Sequence, residues 1–503
     1  MRIALGIATL YDVAGRFSVL RLFYSDDGLS PRAIFLNGSL KWQTLFSISG
    51  SAGYAGFLLA VQAVAALMFT IGYQTRITTV AMLALQWSLI NRNPTLSHGG
   101  HNLEVWLLIW SLFLPLSAVA SVDAYTARAS DDPPRPPRVR RACSVASMAI
   151  LVQLGLMYWN ALSVKTNVEW RSDFTAVYYF LNSHLATPLG HAIGQSTDLC
   201  HILTMMTVFL EFFGPVFALL TFSLPRLRST IVLIFMSFHL CLVATMYVGT
   251  FSMICMAAWL LYLPPQAWNF LGRVALLRIL TRVWNALLGR IARVIEFIPP
   301  LAVRTISPGP RRRFVQAGVG ALFAYILTVN LVGFLPSAAA ARLGPLARLP
   351  RIKQSWGVMD VAWKYFQTVV LEVELADGSI HTIDATSVPD GSFARSLPPT
   401  QRPEEYWTWE VWRAETTFLI GYRSILLLAS ISNRPEPLAA YCDYHRRKWN
   451  EFHPSPEQQV KSIRLYAVIF ETRAPHDHLN QETRSAKEQL YVWPESATTQ
   501  GSR

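Results

Sequence analysis

This 503-residue sequence contains about nine apolar stretches, and they constrain its fold more than any other feature. A helix needs about 20 mostly apolar residues to cross a bilayer. The third and eighth stretches are short, and the first contains charged residues. The sequence predicts an all-α polytopic membrane bundle of about nine transmembrane helices in a lipid bilayer. The stretches lie at 3–22, 52–72, 77–91, 103–121, 144–164, 200–222, 229–248, 250–263 and 314–335.

The composition agrees with a membrane protein. Hydrophobic residues make up 52% of the chain and charged residues 15%, against about 25% charged in soluble domains. A net charge of +13 would suggest nucleic acid in a soluble protein, but here the arginines lie in short loops between apolar stretches. That pattern is typical of cytoplasmic loops, so we expect no nucleic-acid partner.

Loop charges also predict the orientation. The loop 122–143 and the segment 264–313 are rich in arginine, and nine spans place all basic loops on one side, which is then cytoplasmic. The N-terminus is therefore predicted to be cytoplasmic and the C-terminal domain extracytoplasmic, in a bacterial plasma (inner) membrane. No cleavable signal peptide is expected, because the first stretch lacks a basic start and contains Asp12 and Arg16.

The composition divides the chain into four regions. Residues 1–265 form the main transmembrane domain, 266–313 a basic amphipathic segment at the cytoplasmic face, and 314–336 the last transmembrane helix. Residues 337–503 form a small extracytoplasmic α+β domain with a frayed tail. The pattern of 268–296 predicts an amphipathic helix in the membrane interface. In the last domain VVLEVELADGSIHTIDA predicts a hairpin around Asp377-Gly378, and 416–430 and 437–453 are predicted helices.

Ionisable residues within the apolar stretches are functional candidates because their burial in lipid is costly. Asp12 and Arg16 are spaced to neutralise each other on one helix. Glu211 and His239 fall at similar depth, which predicts a hydrogen bond between them that serves either structure or catalysis. The cysteines show neither a CxxC motif nor metal-ligand spacing, so no metal is expected.

A larger polar set is predicted at the outer helix ends, and its convergence on one face indicates a site. Taken singly, each member has a simpler interpretation. Lys165 can snorkel towards water, His101 can cap a helix, Asp26 and Asp27 can form an acidic turn, and Arg92 can hold a loop by hydrogen bonds. The set comprises Asp26, Asp27, Asn91, Arg92, Asn93, His101, Asn102 and Lys165.

Five motifs follow one another in the first half of the chain: FYSDDGLSPR at 23–32, GYQTR at 72–76, NRNPTLSHGGHN at 91–102, YWNALSVKTNVEW at 158–170 and FHLCLVATMYVGTFS at 238–252. In this order they resemble the HTTM (horizontally transferred transmembrane domain) family, which includes vitamin K-dependent gamma-glutamyl carboxylase. The resemblance covers about residues 1–265.

The resemblance implies a chemistry. In the carboxylase a lysine deprotonates reduced vitamin K, oxygenation then yields a strong base that removes a glutamate γ-proton, and CO2 adds to the carbanion. Lys165 matches that lysine, His101 matches a histidine of the glutamate half-reaction, and His239 matches the histidine of an FH pair. The chain departs from the family in having GGHN where many bacterial members have GGD, and in a much shorter C-terminal region.

Two classes of function follow. The first is a carboxylase-like enzyme, a lyase or oxygenase, that uses a reduced vitamin K-like quinone and acts on a peptide or protein. Lys165 would be its base and His101 its proton-transfer or oxyanion partner. The second is a non-catalytic membrane module that binds a lipid, peptide or partner in export or maturation. A transporter would favour charges at mid-depth, and most polar residues here are predicted at one end.

Overall fold

The computed structural model describes residues 1–36, 42–129, 144–183, 185–294, 310–331, 359–362, 364–384, 427–428, 431–472, 475 and 485–494. Within these residues the protein is mostly helical, with 18 α-helices and one four-stranded sheet. The first half of the chain supplies α1 Arg2–Ser18, α2 Leu20–Tyr24, α3 Arg32–Phe35, α4 Ala52–Ile71, α5 Thr75–Arg92, α6 Gly99–Ser111, α7 Val122–Ala129, α8 Val145–Val164, α9 Val168–Arg171, α10 Ala176–Leu181, α11 Pro188–Gly194, α12 Thr197–Leu220 and α13 Pro225–Thr245.

The remaining elements follow in the second half. They are α14 Phe251–Trp259, α15 Pro265–Leu271, α16 Ala275–Val294, α17 Pro310–Leu331, β1 Tyr365–Leu375, β2 Ile380–Asp384, α18 Pro435–Phe452, β3 Val460–Glu471 and β4 Ser485–Trp493. Short 3-10 turns at Leu45–Ser47, Pro94–Leu96, Leu260–Tyr262 and Pro456–Gln458 connect some of them.

Four of the described helices, α4, α8, α12 and α13, are long and apolar enough to cross a membrane. Nine spans are therefore not confirmed. The stretch 3–22 is divided between α1 and α2 at Val19. The stretch 103–121 is helical only to Ser111, because Pro115 has no N–H to donate to the Ser111 carbonyl and its ring would clash with that carbonyl in a helix. The stretch 250–263 forms the short α14 and a 3-10 turn.

The helices pack around an aromatic interior. Helix α1 packs on α4, α4 on α5, and α8 on α12. Phe235 of α13 stacks on Trp259 of α14 with ring centroids 3.9 Å apart, and Trp110 of α6 meets Phe323 of α17 edge-on. Aromatic pairs of this kind add to the free energy gained by burying their area. This core fixes the helix ends at which the polar residues lie.

The predicted amphipathic segment contains a helix, α16, in the described residues. Leu288 and Ala292 are buried, in a cluster with Tyr73 and Val122. Another side of α16 exposes large apolar side chains, including Leu276 at 64% and Val283 at 62%. Such a helix matches the interfacial pattern that the sequence predicts.

The C-terminal domain contains an antiparallel sheet in the order β2-β1-β3-β4. The predicted hairpin is present: Val373 pairs with His381, and the turn places Gly378 at φ 83°, where glycine is favoured. Helix α18 confirms the predicted helix at 437–453, whereas 416–426 and 429–430 lie outside the described residues. Buried residues of β1 and α18 join Phe23 and Tyr24 in one cluster, so the domain rests on the end of the bundle that carries α2.

Candidate active site at one end of the bundle

Polar segments that are distant in sequence meet at one end of the bundle, as predicted. The Ser30 carbonyl accepts a hydrogen bond from Arg92 Nη2 at 2.7 Å. Thr250 Oγ1 lies 3.3 Å from His98 Nε2, and Arg447 of α18 donates to the Asp27 carbonyl at 3.4 Å. The segments around residues 24–32, 91–102 and 247–252 therefore share one end with the C-terminal domain.

Lys165 follows the last residue of α8 and is buried. Its Nζ lies 2.6 Å from each carboxylate oxygen of Glu211 on α12, and the two side chains are 3% and 8% exposed. The same Nζ lies 4.6 Å from the Trp170 ring centroid, within cation–π range. Arg171 donates from Nε to the Lys165 carbonyl at 2.7 Å. Lys165 therefore does not snorkel towards water; its ammonium is enclosed by a carboxylate and an indole.

His101 lies in a second buried cluster, between α1 and α6. Its Nε2 is 3.1 Å from Asp12 Oδ1 and 2.9 Å from Arg16 Nη2. The His98 backbone N–H donates to His101 Nδ1 at 3.1 Å, so a neutral ring has its proton on Nε2 and donates it to Asp12. Arg16 Nε donates to Asp12 Oδ2 at 2.6 Å, and Arg16 also bonds the Tyr24 hydroxyl. The predicted Asp12–Arg16 pair is confirmed, and it holds His101.

These motifs can be compared with known proteins. A family model described as HTTM domain matches residues 1–268, slightly more than half of the chain. The chain belongs to the HTTM domain family. It is accordingly a membrane protein, in agreement with its apolar helices. Comparisons with curated proteins and with solved structures found no match.

Within this HTTM domain the predicted hydrogen bond between Glu211 and His239 is wrong. His239 Nε2 lies 2.7 Å from the Tyr158 hydroxyl, and its Nδ1 lies 3.4 Å from Ser252 Oγ. Glu211 pairs with Lys165 instead, since an ammonium is a stronger partner for a carboxylate than a neutral imidazole. Depth alone could not predict this, because Tyr158 of α8 provides a partner for His239 and Lys165, which follows α8, provides one for Glu211.

The start of helix α14 contacts His239 and the neighbour of His101, His98. Its Ser252 contacts His239, and Thr250, just before the helix, contacts His98. The His98 ring lies 3.8 Å from the His101 ring between centroids. A Cβ at Gly100 would lie 2.7 Å from Phe251 Cα, so glycine permits this close approach of α6 and α14.

Asp12, His98 and His101 have the spacing of a metal site, since one ligand atom from each lies within 4.8 Å of the others. The arrangement does not suit a cation. Arg16 hydrogen-bonds Asp12 and lies 2.9 Å from His101 Nε2, so its positive charge already occupies the position that a metal would need. We assign no metal to these residues.

The arginine and asparagines of NRNP hold a loop. Arg92 is fully buried and bonds the Ser30 carbonyl, and Asn93 Nδ2 donates to Ser30 Oγ at 3.2 Å. Asn91 Nδ2 donates to the Trp87 carbonyl at 3.0 Å. Asn102 is half-buried on α6. These contacts support the structural interpretation of Arg92, a residue that fixes the loop before α3.

Asp26 and Asp27 differ in their surroundings. Burial raises the pKa of Asp26, but hydrogen bonds from Arg32 outweigh it and lower the pKa below its usual value. Arg32 approaches Asp26 to 2.8 Å. The Asp27 side chain is exposed, and its carbonyl accepts from Arg447. Asp26 therefore fixes a turn, as the simpler interpretation expects.

Three functional candidates were missed by the sequence reasoning. Glu104, 1% exposed on α6, contacts Thr9 Oγ1 at 2.5 Å. On α9, Arg171 donates to the Lys165 carbonyl and Glu169 pairs with Lys364. Glu104 lies inside an apolar stretch, so the cost of a charge in lipid could have identified it. The residues of α9 carried no such signal, because they lie in a connection between stretches.

Proposed function

We propose that this HTTM protein is a carboxylase-like membrane enzyme that uses a reduced, lipid-soluble quinone and has Lys165 as its base. The observation that carries the proposal is the burial of Lys165 between Glu211 and Trp170. A lysine acts as a base only after it loses its proton, and the Glu211 carboxylate beside the ammonium can accept that proton. The match of Lys165 to the carboxylase lysine supports the same role.

Glu211 can accept the proton of Lys165. The ammonium can pass one proton along either 2.6 Å contact to the carboxylate, which leaves a neutral amine beside a neutral acid. The amine can then accept a proton from a quinol hydroxyl. A bound reduced quinone would supply that proton and the electrons that reduce oxygen.

The aromatic cluster beside Lys165, formed by Trp170, Tyr178, Tyr179 and Phe180, suits a quinone ring. Planar rings pack favourably on aromatic side chains. We place this cluster at the extracytoplasmic face of a bacterial plasma membrane, on the basis of the basic loops at the other end. A quinone would then arrive from the outer leaflet.

His101 is the proposed partner for the second substrate, a peptide or protein. Its Nε2 proton is directed at Asp12, and Arg16 lies against both. This arrangement can move a proton between His101 and Asp12 while Arg16 stabilises negative charge. It supports a proton-transfer role for His101 in the half-reaction that follows quinol deprotonation.

Mass spectrometry of the lipid-soluble molecules retained by the purified protein tests the proposal. We expect a quinone to co-purify with the wild type and to be lost from Trp170→Ala. The control Trp284→Ala alters a tryptophan on α16, which packs on α7, and should retain the quinone. Absence of any quinone from all three proteins, prepared from membranes that contain it, would contradict the proposal.

One observation favours a non-catalytic membrane module instead. Glu211 contacts Lys165 with both oxygens, which is also the geometry of a purely structural ion pair. In that case a lipid, peptide or partner would bind at the same end during export or maturation. The module would show no quinol oxidation, and Lys165→Arg would keep its binding.

A further inference from the structure

A short segment of the C-terminal region reaches the Lys165 cluster. Residues 359–362 and 364 directly precede β1, and Ala362 is buried with Trp170 in one apolar cluster that Met359 also contacts. Lys364 Nζ lies 2.5 Å from Glu169 Oε1 and 5.8 Å from the Tyr179 ring centroid. The C-terminal region thus contacts helix α9, the element next to Lys165.

The pair of Lys364 and Glu169 is not an ordinary surface ion pair. The Glu169 side chain is 6% exposed, whereas that of Lys364 is 45% exposed. Among the described residues, Lys364 is the one cation within ion-pair distance of Glu169. Without Lys364 a buried carboxylate would lose its compensating charge, which is costly in a way that breaking an exposed pair is not.

Helix α9 carries the effect to Lys165. It has four residues, Val168–Arg171, so Glu169, Trp170 and Arg171 move together. Trp170 covers the Lys165 ammonium at 4.6 Å. Arg171 fixes the backbone by donating to the carbonyls of Lys165 at 2.7 Å and Leu162 at 3.2 Å. A displacement of α9 would therefore alter two contacts of Lys165 at once: that of its ammonium with Trp170 and that of its backbone carbonyl with Arg171.

We propose that Lys364 is a positioning residue for Lys165, and that the C-terminal region completes the site by fixing α9 through Glu169. The catalytic part of this inference rests on the proposed function, because it takes Lys165 as the base. The positioning itself does not. Thr197 Oγ1, at the start of α12, donates to the Pro475 carbonyl at 3.2 Å, so a second contact of the same region lies on the helix that carries Glu211.

Charge reversal tests the inference in the full-length protein. The variants are Lys364→Glu, Glu169→Lys and the double exchange that restores the pair in reverse. Lys461→Glu is the matched control, since Lys461 pairs with Glu374 in the same domain at 2.8 Å and is 65% exposed. The first readout is the rate at which a membrane-permeant amine reagent modifies Lys165, followed by mass spectrometry.

We expect both single reversals to raise the Lys165 modification rate by about tenfold, consistent with loss of a buried partner, and the double exchange to restore most of the protection. Lys461→Glu should behave as wild type. Unchanged modification in both single variants would overturn the proposal, and so would a double exchange as reactive as the singles, since that indicates general damage.

Quinol oxidation in membranes is the second readout. The single reversals should lower kcat more than they raise KM for the quinol, because the base is misplaced while the aromatic surface remains. A wild-type protein without quinol oxidation would contradict the proposed function, and the modification rates would still decide whether Lys364 positions Lys165.

Discussion

Lys165 and Glu211, 46 residues apart in sequence, form a buried ion pair in which both carboxylate oxygens lie 2.6 Å from the ammonium nitrogen. Such a pair contributes little net stability, because desolvation of two charges offsets their attraction. Stability alone therefore does not account for this pair of charges in an apolar bundle. The pair also joins the end of α8 to the middle of α12.

A double-mutant cycle on this pair is the first prediction. Glu211→Leu should destabilise the protein by about 3–5 kcal/mol, because it leaves a buried ammonium without its partner. Lys165→Met with Glu211→Leu should regain most of that loss, since two apolar side chains then pack together. Thermal unfolding in detergent measures both. With Lys165→Met measured alone as the second single variant, a loss in the double variant equal to the sum of the two single losses would show that the two residues do not interact.

The His101 cluster predicts a similar asymmetry. Asp12→Asn should cost about 3–5 kcal/mol of stability, because Arg16 then lacks its buried counter-charge. Asp27→Asn is the control: its side chain is exposed, so its effect should be within about 0.5 kcal/mol. Thermal unfolding of both variants is the measurement, and a benign Asp12→Asn would mean that Arg16 is compensated elsewhere.

The C-terminal domain should lose stability in acid. Burial lowers the pKa of His445 to about 4 from 6.5, so between these values the unfolded chain binds a proton that the folded domain does not. The stabilisation is complete above pH 6.5 and falls as pH drops to 4, by about 3 kcal/mol. Pulse proteolysis of the intact protein against pH measures it.

His445→Phe should remove most of that pH dependence. A wild-type domain whose stability does not change between pH 6.5 and 4 would contradict the buried, neutral state of His445.

Much of the fold could be predicted from the sequence, because apolar stretches and turn residues act locally. The Asp377-Gly378 hairpin and the helix α16 follow from patterns within about 20 residues. The number of spans did not follow. Mean hydropathy over a window of sequence includes Leu112 to Ala120 in a predicted span. In the structure Pro115 ends helix α6 before these residues.

Partners of polar residues were harder to predict than their locations. Loop charges predicted Lys165, His101 and Arg92 at one end, and hydrogen-bond contacts bring the segments of Arg92 and His101 together with those of Ser30 and Thr250. Loop charges could not identify the partner of Glu211, since that depends on how α8, α12 and α13 are rotated. Lys364 could not be found at all, because its contact with Glu169 crosses from one domain to the other.

Topology is the fourth prediction. Single cysteines at Arg282, on α16, and at Gly378, in the hairpin, are placed in a background without Cys143, Cys200, Cys241, Cys255 and Cys442. An impermeant thiol reagent added to cells with a permeabilised outer barrier should label position 378 and miss 282, because the basic segment is expected to be cytoplasmic. Labelling of 282 alone would reverse the orientation.

The most direct test of the account is the activity of Lys165→Arg beside Lys165→Ala, measured as quinol oxidation in membranes. Arginine keeps the charge and can still pair with Glu211, but its guanidinium cannot give up its proton in this pH range. If Lys165 is the base, both variants should lose activity, and Lys165→Arg should keep near-wild-type expression and thermal stability. A Lys165→Arg protein that oxidises quinol as fast as wild type would contradict the catalytic role.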